Sequence, residues 1–176
     1  MLSNIIKEMK LKRLQRKGLV VGKNINIEKG VIIDSSIPFL IKIGNNVTLA
    51  PYVHILAHDA STKIVLGYSK IGKVIIGDNV FIGAKSIVLP NVKIGNNVVI
   101  GAGTIVSKDI PDNSVVVGNP GKKIMDIETF KNKHESNMKK NIFIRKEVKN
   151  KKVIDSKLKK EIMSKLEQHS KIGYID

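Results

Sequence analysis

The stretch IGDNVFIGAKSIVLPNVKIGNNVVIGAGTIVSKDIP, residues 76–111, counts in sixes without a slip. Each hexad opens on Ile or Val, its second residue is usually Gly, and its fifth is Val, Ser, Thr or Ile. A sustained six-residue period is a β-helix signature. A short strand points an aliphatic side chain inward, and Gly or Asn then supplies the turn, because both accept positive φ. Three such faces close one coil of about 18 residues, and stacked coils bury a continuous Ile/Val column with parallel pairing. A Gly-rich antiparallel protein would alternate with period two instead.

The same phase runs from Val21 and again through IGNNVTLAPYVHILAHDA, residues 43–60. Two breaks separate these runs. Val21 to Ile43 is 22 residues, one coil plus four, and the surplus is expected within SIPFLIK, 36–42. Ile43 to Ile76 is 33 residues, one coil plus 15, and that surplus is Ser61 to Ile75. An excursion of this length inside a solenoid points to a function, and insertions between repeats often map to the binding face.

The ends differ from the middle. Residues 4–17 read as an amphipathic helix with Ile5, Ile6, Met9 and Leu14 against Lys and Arg. It is expected to cap the open end of the solenoid, with a membrane surface as the rival partner. After Gly121 the hexads stop, and Leu158, Ile162 and Leu166 space a second helix within 156–171. The expected organisation is a helix at 1–18, a β-helix at 19–125 and a basic, partly helical extension at 126–176.

Composition narrows the chemistry. The 176 residues include no Cys, which excludes disulfides, thiolate metal sites and a cysteine nucleophile. Aromatics are 4 % and Trp is absent, so Ile and Val must build the core. No apolar run is long enough to span a membrane, and the N-terminus makes a poor signal peptide, so a cytoplasmic protein is expected. The net charge of +16 concentrates at the two ends: +5 in residues 1–18, +3 in 19–120 and +8 in 121–176. With so few aromatics to stack bases, nucleic acid is a disfavoured partner, while peripheral contact with anionic lipid remains open.

The stretch IGDNVFIGAKSIVLPNVKIGNNVVIGAGTIVSKDIPDNSVVVGNP resembles the hexapeptide-repeat acyltransferases, and the likeness covers about residues 20–125. It is most similar to the branch containing galactoside, maltose and streptogramin acetyltransferases, and closer still to O-acetyltransferases of bacterial surface polysaccharides. The resemblance implies an all-β fold, a left-handed parallel β-helix, with an extruded loop near 60–75. It also implies a homotrimer with active sites between subunits, acetyl-CoA as co-substrate, and a sugar or polysaccharide precursor as acceptor. In the family a histidine opening the extruded loop acts as base, which points to His58 in AHD. Acetyl-CoA contacts carry over to Ala84, Ala102, Ser107, Lys108 and Lys122. The chain departs from the family at Phe81, Asn91 and Gly121, where Trp, Gly and Ala are usual. Asn91 still suits a left-handed turn.

The residues support acyl transfer on their own terms. An alcohol needs a base to attack a thioester at neutral pH, and histidine titrates nearest that pH. Backbone N–H groups of a tight turn can hold the oxyanion, and the resemblance points to Gly83–Ala84. Asp59 either orients the imidazole or satisfies the loop backbone. Without a cysteine or a nucleophile elbow, direct transfer in a ternary complex is expected. His54, sixth in its hexad, should point outward, and His134 and His169 carry no signal. Lys123 joins Lys108 and Lys122 as a candidate for phosphate. N-acetylation of a nucleotide-linked amino sugar is the alternative enzyme, and a non-catalytic basic scaffold the alternative without chemistry. No metal is expected: a zinc hydratase of this fold needs three histidines, and the repeat region holds only His54 and His58.

Overall fold

The structure, a computed structural model, describes residues 2–138, 142–143, 156–168 and 172–175. The side chains of Ile5 and Ile6, and His169, lie outside the described residues. The chain divides into two compact units, Met1–Ile127 and Glu128–Asp176.

In the first unit three sheets wind around one core. The first face stacks β1 (Val20–Val21), β4 (Ile41–Ile43), β9 (Val74–Ile76) and β12 (Val92–Ile94). The second stacks β2 (Asn26–Ile27), β5 (Thr48–Leu49), β10 (Val80–Ile82), β13 (Val98–Ile100) and β15 (Ser114–Val117). The third stacks β3 (Ile32–Ile33), β6 (His54–Ile55), β11 (Ile87–Val88) and β14 (Ile105–Val106). Every pairing named so far is parallel. Register follows the hexad arithmetic: Val21 pairs with Ile43, Ile43 with Ile76 and Ile76 with Ile94. The first break, with its four surplus residues, contains a short three-residue 3-10 turn at Pro38–Leu40.

Each three-residue strand of these faces buries two side chains rather than one. Val80, Val92 and Val98, in the fifth position, are as inaccessible as Ile82, Ile94 and Ile100 in the first, all at 0–2 %. The sixth residue between them points outward, as Phe81, Lys93 and Val99 do. Ser86 and Thr104, at fifth positions, are also buried; Ser86 Oγ donates to the Gly101 carbonyl at 2.9 Å and so carries no orphan hydroxyl.

One corner explains the Gly–Asn content. Asn24, Asn46, Asn79, Asn97 and Asn113 all sit at φ 53–56°, a region that Asn tolerates. Their amides form a ladder, each Nδ2 donating to the next Oδ1 at 2.9–3.0 Å. The adjacent second position admits no side chain: a Cβ on Gly77 would lie 2.6 Å from the carboxamide oxygen of Asn96. Asn91 takes φ 62°, the left-handed turn expected of it.

The ends of this unit differ from the hexad reading in three ways. The helix α1 (Leu2–Arg16) packs Leu11 and Leu14 on the core, whereas Met9 is 66 % exposed. Leu11 and Leu14, three apart, share a helix face, and Leu11 replaces Met9 on it. The last coil is two residues short: Ile94 bridges to Ile110 and Ile100 pairs with Val116, a step of 16 rather than 18. The sixth hexad, VSKDIP, is therefore cut to four residues, and Ile110 takes the next inward position. Finally, β16 (Lys122–Asp126) turns back after Asn119–Pro120 and pairs antiparallel with β15, which carries the unit to Ile127.

The second unit contains the helices Ile127–Met138, which begins at the boundary, and Ser156–Gln168, and pairs Ile142–Phe143 with Tyr174–Ile175 in parallel. Within it His134 Nδ1 lies 2.8 Å from the Tyr174 hydroxyl.

Candidate active site

Both insertions leave the third face at its corner with the first face, one coil apart. Ile33 pairs with Ile55, so the residues that follow each are neighbours. Asp34 follows Ile33, and His58 opens the long excursion after Ile55. That excursion is an antiparallel pair, β7 (His58–Asp59) with β8 (Lys70–Ile71), joined through the short helix α2 (Lys63–Leu66). Gly67 ends the helix in a left-handed conformation, φ 73°.

Asp34 is the residue that sequence reasoning missed. Its Oδ2 lies 2.5 Å from His58 Nδ1 and also accepts from the backbone N–H groups of Ala57 and His58, each at 3.1 Å. Its Oδ1 accepts from Ser36 N at 3.0 Å. The carboxylate is buried, whereas the His58 side chain is 40 % exposed. Burial pushes the Asp34 pKa up, but the hydrogen bonds from His58, Ser36 and Ala57 outweigh it, and the net shift is downward. An ionised Asp34 holds the proton of His58 on Nδ1. Nε2, on this partly exposed side chain, then carries the lone pair that a base requires.

Asp59, open to orienting the imidazole or satisfying the loop backbone, turns to the loop. Its carboxylate pairs with Lys70 Nζ at 2.8 Å and accepts from Ser61 N at 2.8 Å. Lys70 first, then Ser61, holds its pKa well below the ordinary carboxylate range. It ties the excursion closed, because a carboxylate two residues before a free loop N–H bonds that N–H first.

The other candidates stand in separate places. Ser107 and Lys108 follow β14 and therefore stand at the same corner as His58, in a lower coil. Ala84 and Ala102 stand at the opposite edge of the third face, stacked so that Gly103 N donates to the Ala84 carbonyl at 2.8 Å. Lys122 is exposed at the start of β16, while Lys123 is already paired with Asp126. One subunit thus does not bring Ala84 and Ala102 to His58. His54 lies on the outer side of the third face between Ile32 and Ile87, and lines an apolar groove of about 820 Å³ with Leu11, Leu14 and Tyr52. Among the described residues, no group of three or more His, Cys, Asp or Glu is placed to hold a metal ion. No helix among them is long and apolar enough to cross a membrane.

Known proteins share this architecture. The bacterial transferase hexapeptide pattern of six repeats matches residues 73–108. Protein CapG of Staphylococcus aureus is 44 % identical over 128 residues, 69 % of this chain and 73 % of CapG. A maltose O-acetyltransferase from Clostridium difficile superposes with a TM-score of 0.51 at 38 % identity, over 64 % of this chain and 72 % of that one. A galactoside acetyltransferase in complex with coenzyme A gives 0.50 at 34 % identity, over 61 % and 64 %. Several other curated relatives are matched over only about half of their length, 51–56 %. With its hexad coils, parallel faces and 44 % identity to CapG, the chain belongs to the hexapeptide-repeat transferase family and is an enzyme of the acyltransferase class.

Proposed function

We propose that this protein transfers an acetyl group from acetyl-CoA to a hydroxyl of a sugar or surface-polysaccharide precursor. The observation that carries the reading is the buried Asp34 holding an outward-facing His58 at the mouth of the excursion. The maltose and galactoside acetyltransferases among its relatives favour a sugar acceptor, and the coenzyme A complex of one favours acetyl-CoA.

The residues divide the work. His58 Nε2 accepts the proton of the acceptor hydroxyl as its oxygen attacks, and Asp34 stabilises the imidazolium that forms. The Ala84 N–H donates to the oxygen that gains charge. Protonated His58 then returns its proton to the leaving thiolate. Acetyl-CoA brings the activated acyl group, and no acyl-enzyme is required. Lys108 and Lys122 suit its phosphates as point charges, with Ser107 and the bare turn at Ala102 alongside. His58 and Ala84 lie at different edges of the third face, so we assign the complete site to a homotrimer, in which a neighbouring subunit supplies the second edge. The left hand of the helix and a cytoplasmic setting belong to the same reading.

Calorimetric titration with acetyl-CoA, followed by transfer assays over a sugar panel, tests this. Wild type and His58→Ala should bind acetyl-CoA alike, and only wild type should turn over. A folded protein that ignores millimolar acetyl-CoA would remove the reading and leave the basic scaffold.

A further inference from the structure

A second groove opens along the His58 corner. It encloses about 580 Å³ and is lined by Lys73, Asn91, Lys93, Ser107, Lys108 and Asp109 among others. The three lysines are exposed, and among the described residues none pairs with a carboxylate. The groove's one acid, Asp109, accepts at Oδ1 from the Lys93 backbone N–H at 2.8 Å and faces three lysines. The groove therefore holds an excess of positive charge, three lysines to one carboxylate, with amide and hydroxyl donors beside it, which suits a phosphate.

Its position selects which phosphate. Gly72 N donates to the Ala57 carbonyl at 2.9 Å, and a Cβ on Gly72 would lie 2.5 Å from Asn91 N. The groove thus begins one coil below the coil of His58, and paired coils stand about 4.8 Å apart. His58 Nδ1 is tied to Asp34 in the coil above, so Nε2 faces away from that coil. A glycosyl phosphate carries its charge about one sugar ring from its hydroxyls, which matches a one-coil step. The pantetheine arm of acetyl-CoA keeps its diphosphate many bonds from the thioester, which does not.

We infer that the upper groove, Lys73, Asn91 and Lys93, binds the phosphate of the acceptor, so the acceptor is a sugar carried as a glycosyl phosphate or diphosphate. This rests on the acetyl-transfer reading. Ser107 and Lys108, at the lower rim, remain with the co-substrate. A nucleotide and a lipid carrier present the same diphosphate, and the test separates them.

Full-length wild type and Lys73→Gln/Lys93→Gln are titrated with uridine diphosphate, farnesyl diphosphate and coenzyme A. Lys42→Gln, on the same face but outside the groove, is the control. Diphosphate binding should weaken about tenfold or more in the double variant, as expected for two lost charge-assisted contacts. Coenzyme A affinity, and all affinities of Lys42→Gln, should stay near wild type. Tighter binding of uridine diphosphate assigns a nucleotide carrier, and tighter binding of farnesyl diphosphate a lipid carrier. A loss confined to coenzyme A gives the groove to the co-substrate and overturns the inference. So does diphosphate binding that is absent from wild type or unchanged in the variant. Wild type that binds no coenzyme A sinks the acetyl-transfer reading itself, so the two failures are told apart.

Discussion

The coils from Val74 to Val106 and the excursion from His58 to Ile71 are neighbours built on opposite rules. In the coils Val74, Ile82, Val88 and Ile100 are inaccessible. In the excursion Ile64 is 90 %, Val65 78 % and Tyr68 81 % exposed. The wall is held by buried area and repeated ladders. The excursion is held by a few polar ties: Asp59 to Lys70, and the Thr62 hydroxyl donating to the Tyr68 carbonyl at 2.7 Å. Stability is therefore concentrated in the wall, and the exposed excursion is lightly fastened beside it. His58 stands at the junction, with its backbone and ring anchored to Asp34 of the wall.

That contrast can be broken first at the junction. His58→Ala should lower kcat by about 10²–10⁴-fold, the range for loss of a general base, with the unfolding midpoint unchanged. Steady-state kinetics beside a denaturant curve reads both. A large loss of stability instead would make His58 part of the wall.

Within the wall, Ile100→Ala should cost about 2–5 kcal/mol, because a fully buried aliphatic leaves a cavity. In the excursion, Ile64→Ala should stay within about 0.5 kcal/mol. Urea unfolding of the two variants compares the regions directly, and equal effects would dissolve the distinction.

Asp34→Asn probes the anchor. The carboxamide can face Nδ1 as a donor and so favour the wrong tautomer. The kcat should fall on the order of 10²-fold while acetyl-CoA affinity holds, and the pH profile of kcat/KM should move. A purely structural Asp34 would leave that profile in place.

Acid sharpens the same pair. The Asp34 carboxyl lies below its ordinary value of 3.8 in the folded protein. Its stabilisation is therefore complete above that value and is lost as the pH falls through the lower, folded one. Wild type should exceed Asp34→Asn in stability near neutrality, and the gap should close below about pH 4. A gap that persists into stronger acid would assign the difference to packing.

Asp59→Asn should have the smallest effect. It loosens only an exposed, solvent-screened tie to Lys70, and the pH profile of kcat/KM should stay in place.

Much of this was legible in the chain. The hexads name the inward residues, and the offsets of 22 and 33 locate both insertions, because coil register depends on counting alone. The resemblance pointed to His58, in the last hexad before the count fails at Ser61. Asp34 left a fainter signal: it begins the first insertion 22 residues before Leu56, one coil of the same register. The local Asp59 drew attention away from it, yet a neighbouring carboxylate is captured by its own loop.

What the sequence determines by itself is periodic: the faces, the buried column, the Asn corner and the places where the coil opens. Those features arise within one or two hexads, where a side chain's direction follows from its position in the turn. Only the tertiary structure decides what meets across coils. It brings Asp34 to His58 over 24 residues, shortens the last coil, folds Lys122–Asp126 back on β15, and separates Ala84 and Ala102 from His58 by a whole face. Such contacts depend on how insertions and ends stack, and stacking is settled by the packing of the whole column rather than by any one hexad.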